Sequence, residues 1–308
     1  VKANLDREVA FGYSTPLAPL DARELGAGVE YELDHNDRFY GIGNETSPDD
    51  VRLLEHETSV AYLDVDLGGP TTHLAPFTSD LYAGYRHERL SSGIGEALSA
   101  VAEGDSVAPP PGFGQSVDYA ELAWTFRHDT RDSSGRTQRG TRAELELYGT
   151  TDLRSADLNA VRATLRAAWF IPVAPLHRVL ALSAGAAAAA PLAEASEVPL
   201  QSLVTLGQKE YLRGYAKGRF RDRAGFWASA EYRYPIFEFS DTGAGLSSTL
   251  FVDVGRVGED VSELVEAPVR AAFGFGVRAE TSRAFVFRAQ VAFSEEGAEV
   301  LFALNDTP

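Results

Sequence analysis

The feature that most limits the fold of this chain is an alternation of apolar and polar residues with a period of two. The pattern recurs along most of the sequence, and its clearest example is Ala120, Leu122, Trp124 and Phe126 alternating with Glu121, Thr125 and Arg127. Successive side chains of a β-strand point to opposite faces, so this pattern predicts strands with one apolar face and one charged face. A sheet built from such strands separates two different media.

About thirteen segments show this pattern, and many are close to the roughly ten residues with which a tilted strand crosses a bilayer. No apolar run reaches the roughly 18 residues that a membrane helix requires. Tyrosine and tryptophan lie near the ends of several apolar faces, as at a membrane boundary; the examples are Tyr31, Tyr85, Trp124 and Trp169. The pattern predicts an all-β, transmembrane antiparallel barrel. A soluble β-sandwich, whose strands also alternate, is the alternative.

Composition excludes several other classes of protein. The chain has 308 residues and a formal net charge of −17, which would repel a phosphate backbone and argues against a nucleic-acid partner. It has no cysteine, so a disulfide framework and a thiolate metal site are both excluded. It also has no methionine, and we therefore expect a processed or trimmed product from which any signal peptide has been removed.

One stretch departs from the strand pattern. Within residues 191–223, the part from Leu206 to Arg223 is too rich in glycine and charge for a strand, and its apolar spacing is too irregular for an amphipathic helix. Six basic residues crowd into the second half of this stretch of an acidic chain: Lys209, Arg213, Lys217, Arg219, Arg221 and Arg223. The motif Leu212-Arg213-Gly214-Tyr215 lies among them, and a long alternating strand follows from Phe226 to Ile236.

This motif, together with the strand after it, resembles the sixth external loop of the BamA-type outer-membrane assembly and translocation barrels, the bacterial surface antigen superfamily. Three other elements are similar to the same family: Phe39-Tyr40-Gly41-Ile42-Gly43-Asn44, Asp129-Thr130-Arg131-Asp132, and Glu231-Tyr232-Arg233. The resemblance implies sixteen strands, whereas the segments counted in the sequence give fourteen or fewer if the chain is complete as counted. It also implies one barrel domain over residues 1–308, with residues 191–223 as a loop inserted into the lumen.

Two acidic residues on the strands after the loop are the expected partners of Arg213. The alternation places Glu231 and Asp253 on the polar faces of their strands, and carboxylates are the bidentate acceptors that a guanidinium prefers. The resemblance implies the same docking of the motif arginine. We further expect Gly274 and Gly276, on the inner face of the next strand, to leave room for the loop backbone. The alternative is that Arg213 is a solvated loop charge.

The sequence contains no constellation of an enzyme. It has no Gly-x-Ser-x-Gly motif, and its six histidines are scattered without the spacing of metal ligands. The paired carboxylates of the polar faces are more simply explained as solvation of a wet lumen. We therefore expect no catalytic residue, no metal site, no cofactor and no enzymatic activity.

The resemblance implies a barrel of the bacterial outer membrane that inserts or translocates proteins. Its partners would then be outer-membrane lipid and lipopolysaccharide, and protein clients or subunits of an envelope complex. A structural barrel that anchors a larger complex and a passive pore are the alternatives. Two departures from the family pattern bear on this choice. We expect a short form without N-terminal POTRA domains, and the sequence ends in Leu304-Asn305-Asp306-Thr307-Pro308 rather than on an aromatic residue.

Overall fold

The computed structural model describes residues 7–16, 24–68, 76–93, 107–173, 177–208, 211–239, 244–266, 268–281 and 286–304. These residues are almost entirely β-strand. The strands are β1 (Arg7–Pro16), β2 (Glu24–Phe39), β3 (Arg52–Gly68), β4 (Phe77–Ser92), β5 (Ser116–Asp129), β6 (Gly140–Asp152), β7 (Ala160–Val173), β8 (Arg178–Pro191), β9 (Val204–Leu206), β10 (Phe220–Asp222), β11 (Ala224–Phe239), β12 (Ala244–Gly258), β13 (Arg270–Glu280), β14 (Val286–Ser294) and β15 (Gly297–Leu304). One four-residue α-helix, α1 (Glu263–Glu266), and two 3-10 helices, Pro48–Asp50 and Leu200–Ser202, lie between strands.

Thirteen strands form one sheet in the order β1 to β8 followed by β11 to β15, and all neighbours are antiparallel. β8 pairs directly with β11 because the chain between them leaves the sheet. β9 and β10 pair with each other in a separate two-stranded sheet. We call the end of the large sheet where β8 ends and β11 begins the loop end.

The two edges of the large sheet are β1 and β15. In the part of the chain that the structure describes, β1 pairs only with β2 and β15 only with β14. Strand direction alternates along the sheet, and the number of strands is odd, so β1 and β15 run in the same direction. A direct pairing between them would be parallel, unlike every other pairing in the sheet.

The sheet is apolar outside and polar inside, the reverse of a soluble protein. Leu165 and Trp169 on β7 are 55% and 60% exposed, whereas Glu231 on β11 and Asp253 on β12 are 5% and 2% exposed. The same outward exposure recurs around the sheet at Leu63, Leu122, Leu250, Phe273 and Phe302. An apolar exterior with a charged interior is the pattern of a membrane barrel. A β-sandwich would cover the apolar face with a second sheet, and the only other sheet among the described residues is the pair β9–β10.

The predicted all-β antiparallel fold is confirmed, and the described residues form thirteen strands of the large sheet, where the resemblance implies sixteen. The sequence pattern missed β1, whose inner face carries little charge to mark the alternation. Within the described residues, no helix has the length and apolar character needed to cross a membrane.

Candidate functional site

The chain between β8 and β11 folds onto the inner face of the sheet. It leaves β8 at Pro191, passes through the 3-10 helix and returns to the sheet at Ala224. Five of its apolar side chains form a buried cluster with inward-facing residues of the strands; the loop contributes Val204, Leu206, Leu212, Tyr215 and Phe220, and the strands contribute Ala187, Trp227, Val257 and Ala272. This shared core holds the loop against the wall of the sheet. Lys209 lies outside the described residues.

Arg213 lies at the centre of the site and is bound by both of the predicted acidic residues. Its Nε and Nη2 donate to the two carboxylate oxygens of Asp253 at 2.8 and 2.7 Å, and its Nη1 donates to Glu231 Oε2 at 2.8 Å. The backbone N–H of Arg213 also donates to Asp253, at 3.1 Å. The bond to Asp253 is therefore bidentate, the strong form of an arginine–carboxylate contact. The structure brings the three residues together as the alternation of β11 and β12 predicts.

Burial strengthens this contact because little water competes with it. The side chains of Arg213, Glu231 and Asp253 are 11%, 7% and 3% exposed. Burial by itself lowers the pKa of the Arg213 guanidinium. The hydrogen bonds and charges of Asp253 and Glu231 outweigh that effect and raise the pKa of Arg213 above its ordinary value. Arg213 is thus held in its charged form.

Three further residues complete the site. The guanidinium carbon of Arg213 lies 3.5 Å from the ring centroid of Phe251, a cation–π contact. Ser229 Oγ accepts from Arg213 Nη2 at 3.0 Å and donates to Asp253 Oδ1 at 2.7 Å. Gln290 Oε1 accepts from Arg213 Nη1 at 3.4 Å. Sequence reasoning did not assign these residues, although the alternation also places them on inner faces.

Gly274 and Gly276 make room for the backbone of β14 and for two side chains rather than for the loop backbone. A Cβ at Gly274 would lie 2.4 Å from Phe251 Cζ and 2.2 Å from the carbonyl oxygen of Val291. A Cβ at Gly276 would lie 2.7 Å from Gln290 Cγ. The glycines therefore leave space for Phe251 and Gln290, the two side chains that contact Arg213. A larger residue at either position would affect the loop by displacing these side chains.

The loop backbone touches the wall at Gly214 instead. A Cβ there would lie 2.8 Å from both Ala272 Cβ and the carbonyl oxygen of Phe293, so only glycine fits without displacement. Ser294 Oγ donates to the carbonyl oxygen of Gly214 at 2.7 Å. The tight turn lies just before it, at Leu212, whose φ of 116° is unusual for a residue with a side chain. Leu212 is fully buried, and this packing holds the strained backbone.

Tyr215 packs against the wall after the motif arginine. Its ring meets Phe220 edge-on at 5.1 Å, and its hydroxyl donates to the carbonyl oxygen of Ala271 at 3.3 Å. Burial and the charge of Glu295 raise the pKa of Tyr215 to about 12. Tyr215 is therefore neutral at physiological pH, as its apolar contacts require.

The family of the chain follows from a comparison of its sequence with models of known families. Residues 2–300 match the model described as the Omp85 superfamily domain. The chain belongs to the Omp85 superfamily. A comparison with curated protein sequences gave no significant match.

Solved Omp85-like structures agree with the fold. The crystal structure of BamA from Haemophilus ducreyi lacking POTRA domains 1–3 superposes with a TM-score of 0.66 at 18% identity, covering 96% of this chain and 61% of that one. CdiB from Escherichia coli gives a TM-score of 0.57 at 12% identity, covering 97% of this chain and 52% of the other. CdiB from Acinetobacter baumannii gives 0.56 at 11% identity, covering 97% and 50%. The chain spans about half to three fifths of the length of these proteins.

The predicted family, the barrel fold and the outer-membrane location are thus confirmed for this Omp85 chain. The family assignment also agrees with the apolar outer surface of the sheet. The described residues contain no group of histidine and acidic side chains able to hold a metal ion.

A second element of the Omp85 chain crosses the inner space at the end opposite the loop. This is the turn between β5 and β6, which includes the Asp-Thr-Arg-Asp sequence. Arg136 in the turn forms an ion pair with Glu238 on β11 and approaches Glu280 on β13 at 3.7 Å. Arg278 on β13 donates to the carbonyl oxygen of Gly135 in the turn at 3.1 Å. The turn therefore reaches from one part of the wall to another across the barrel.

Proposed function

We propose that this chain is the barrel of an outer-membrane factor that inserts or translocates proteins, with outer-membrane lipid and lipopolysaccharide around it and unfolded proteins as its clients. Residues 1–308 act as one barrel domain in this proposal. The loop of residues 191–223 is its control element, and Leu212, Arg213, Gly214 and Tyr215 are the part of the loop that docks. The docked arginine on Glu231 and Asp253 carries the proposal, because it fixes a long loop inside the barrel at a defined point.

The two edges of the sheet supply the physical basis for the activity. A strand edge with unpaired backbone groups is a template for another strand. β1 and β15 present such edges in the part of the chain that the structure describes. Val9, Phe11 and Tyr13 on β1 and Val300 and Phe302 on β15 are exposed apolar side chains that lipid can solvate. A client strand that pairs with either edge would bury its backbone polar groups before it enters the membrane.

The inner contacts disfavour the passive pore. The loop packs on the inner face at one end, and the turn with Arg136 crosses the barrel at the other. A planar-bilayer recording of conductance distinguishes the proposed function from a passive pore. We expect low resting conductance, and a higher open probability for Arg136→Ala. Steady high conductance of the unchanged protein would favour the passive pore.

An insertion assay tests the proposal against the structural barrel. Purified protein is reconstituted in vesicles, and the integration of an unfolded barrel client is followed over time. We expect faster integration than in empty vesicles, and a loss of that gain when a thiol crosslinker joins Phe11→Cys on β1 to Val300→Cys on β15. The chain has no native cysteine, so only the introduced pair reacts.

A matched crosslink controls for the reagent. Val291 and Val300 are direct partners on β14 and β15. A crosslink between cysteines at these positions joins strands that are already paired, so integration should continue at the uncrosslinked rate. Equal rates for all samples, including empty vesicles, would favour the structural barrel with no activity of its own.

A further inference from the structure

The loop between β2 and β3 reaches the opposite end of the strand order. Asn44 in this loop donates from Nδ2 to the carbonyl oxygen of Pro268 at 3.2 Å. Its Oδ1 accepts from the backbone N–H of Val257 on β12 at 3.3 Å. Its carbonyl oxygen accepts from Arg270 on β13 at 2.8 Å. One buried residue near the β1 edge thus binds three groups on or next to strands close to the β15 edge, two through its side-chain amide and one through its backbone carbonyl oxygen.

Arg219 adds a second connection at the same place. Its Nη1 donates to Thr46 Oγ1 at 2.7 Å, and its Nη2 donates to the carbonyl oxygen of Thr46. Its Nε donates to both carboxylate oxygens of Glu296, between β14 and β15, at 2.9 Å. The side chain is 1% exposed and stacks on Tyr40 and Phe220. Arg219 therefore joins the docked loop to both sides of the sheet.

The loop between β2 and β3 is shaped for this contact. Gly41 and Gly43 have φ of 95° and 118°, which residues with side chains rarely adopt. The N–H of Gly43 donates to the carbonyl oxygen of Arg221 at 2.8 Å, where the two segments form an isolated β-bridge. Arg221 in turn binds Asp37 on β2 at 2.8 Å. The loop carrying Arg213 and the loop carrying Asn44 are thus packed as one unit.

We propose that Asn44 and Arg219 form a clasp that sets the separation of the two sheet edges at the loop end of the barrel. β1 and β15 have no direct pairing among the described strands, so side-chain contacts across the loop end must limit their movement there. Because Arg219 lies six residues after Arg213 in the same packed loop, docking of the motif and closure of the clasp are coupled. The effect of the clasp on client entry rests on the proposed function. The clasp itself is tested by the distance between the two sheet edges, which does not depend on that function.

Spin-label distances test the clasp directly. Labels at Val9→Cys on β1 and Ala298→Cys on β15 report the edge separation in vesicles. Labels at Leu122→Cys and Val161→Cys report the continuous wall, since both positions align with Gly149 on β6. We expect Asn44→Ala to move the main edge distance to longer values, by at least the spacing of one strand, about 4.8 Å. The wall distance should not change.

Matched variants separate the clasp from a general loss of charge or packing. Arg219→Lys keeps the charge but cannot bridge Thr46 and Glu296 with a planar fork, so it should also lengthen the edge distance. Lys217→Ala removes a cation from an exposed position of the same loop and should leave it unchanged. Asn36→Ala, which removes an exposed amide on β2, should also leave the edge distance unchanged.

Two outcomes would overturn the clasp. An edge distance that stays the same in both Asn44→Ala and Arg219→Lys would show that these contacts do not hold the edges. An equal lengthening of the wall distance would show loss of fold instead. If the edge widens while client integration is no faster than in empty vesicles, the clasp stands and the proposed function fails.

Discussion

Removal of the Arg213 guanidinium is the most direct test of the candidate site. Arg213→Ala deletes two bonds to Asp253 and one to Glu231, all between 2.7 and 2.8 Å. Removing one partner of a buried pair costs about 3–5 kcal/mol, because the remaining charge is left uncompensated. Glu231 keeps Arg233, whose Nε lies 2.8 Å from Oε1, and Asp253 keeps the hydroxyl of Ser229. We therefore expect the lower end of that range, about 3 kcal/mol.

Urea unfolding in detergent or vesicles measures this cost. With a denaturant slope near the upper end for small proteins, about 3 kcal/mol per molar urea, the midpoint should fall by about 1 M. Trp227 gives a local signal once Trp124 and Trp169 are replaced by phenylalanine, because its ring stacks on Tyr211 of the loop at 4.2 Å. The matched control is Arg154→Ala, an arginine at the same end that pairs with Asp118 but is 61% exposed. Exposed pairs contribute about 0–1 kcal/mol, so this control should shift the midpoint little.

Two results would refute the reasoning. A midpoint for Arg213→Ala no lower than that of Arg154→Ala would mean that the buried contact carries no net stability. A double-mutant cycle of Arg213→Ala with Asp253→Asn should give a coupling of about 0.5–3 kcal/mol. A coupling near zero would show that the two residues act independently despite their distance.

Two further substitutions test the surfaces around the site. Leu165→Arg places a charge on the outer face of β7 and should cost about 2–4 kcal/mol at the membrane midplane; Leu192→Arg, equally exposed at 55% but just beyond β8, is the control and should cost far less. Gly274→Ala should lower the urea midpoint and release the loop, because its Cβ would meet Phe251 at 2.4 Å. Gly149→Ala, where the nearest atom lies 3.9 Å away, should be tolerated.

The alternation of the sequence assigns side chains to faces and placed Glu231 and Asp253 inside, and the family resemblance singled them out as the acceptors of Arg213. Once β11 and β12 are recognised as strands, parity alone places Glu231 and Asp253 inside. Parity could not tell which inward residues the loop meets, since that depends on contacts between segments far apart in sequence. Phe251 and Gln290 are examples, because their contact with Arg213 depends on the path of the loop.

The glycines and the clasp were beyond sequence reasoning for the same reason. Gly274 was predicted to face inward, and it does, but its neighbours on β12 and β14 are set by strand register rather than by its own sequence. The pairing of Arg219 with Thr46 and Glu296 joins segments 173 and 77 residues away. No local pattern carries information about a contact of that kind.

The described basic residues of the loop match acidic residues around it, which explains why they are concentrated in an acidic chain. The pairs are Arg213 with Glu231 and Asp253, Lys217 with Asp34, Arg219 with Glu296, Arg221 with Asp37, and Arg223 with Glu259. These pairs differ in burial. Lys217 and Arg223 are 63% and 34% exposed, whereas Arg219 is 1% exposed. High salt should therefore weaken the exposed pairs and leave the buried pairs nearly unchanged.

Trypsin, which cleaves after lysine and arginine, can test at each basic residue whether salt releases its ion pair. Salt at 1 M shortens the screening length to about 3 Å, which weakens exposed pairs and leaves buried ones nearly unchanged. Relative to trypsin cleavage of a short peptide substrate in the same buffer, cleavage after Lys217 and Arg223 should rise with salt, while cleavage after Arg213 and Arg219 should stay low. Mass spectrometry of the fragments gives each rate separately. Cleavage after Arg213 that rises in step with that after Lys217 would mean that screened surface charges hold the loop, and the buried site would then have no part in docking it.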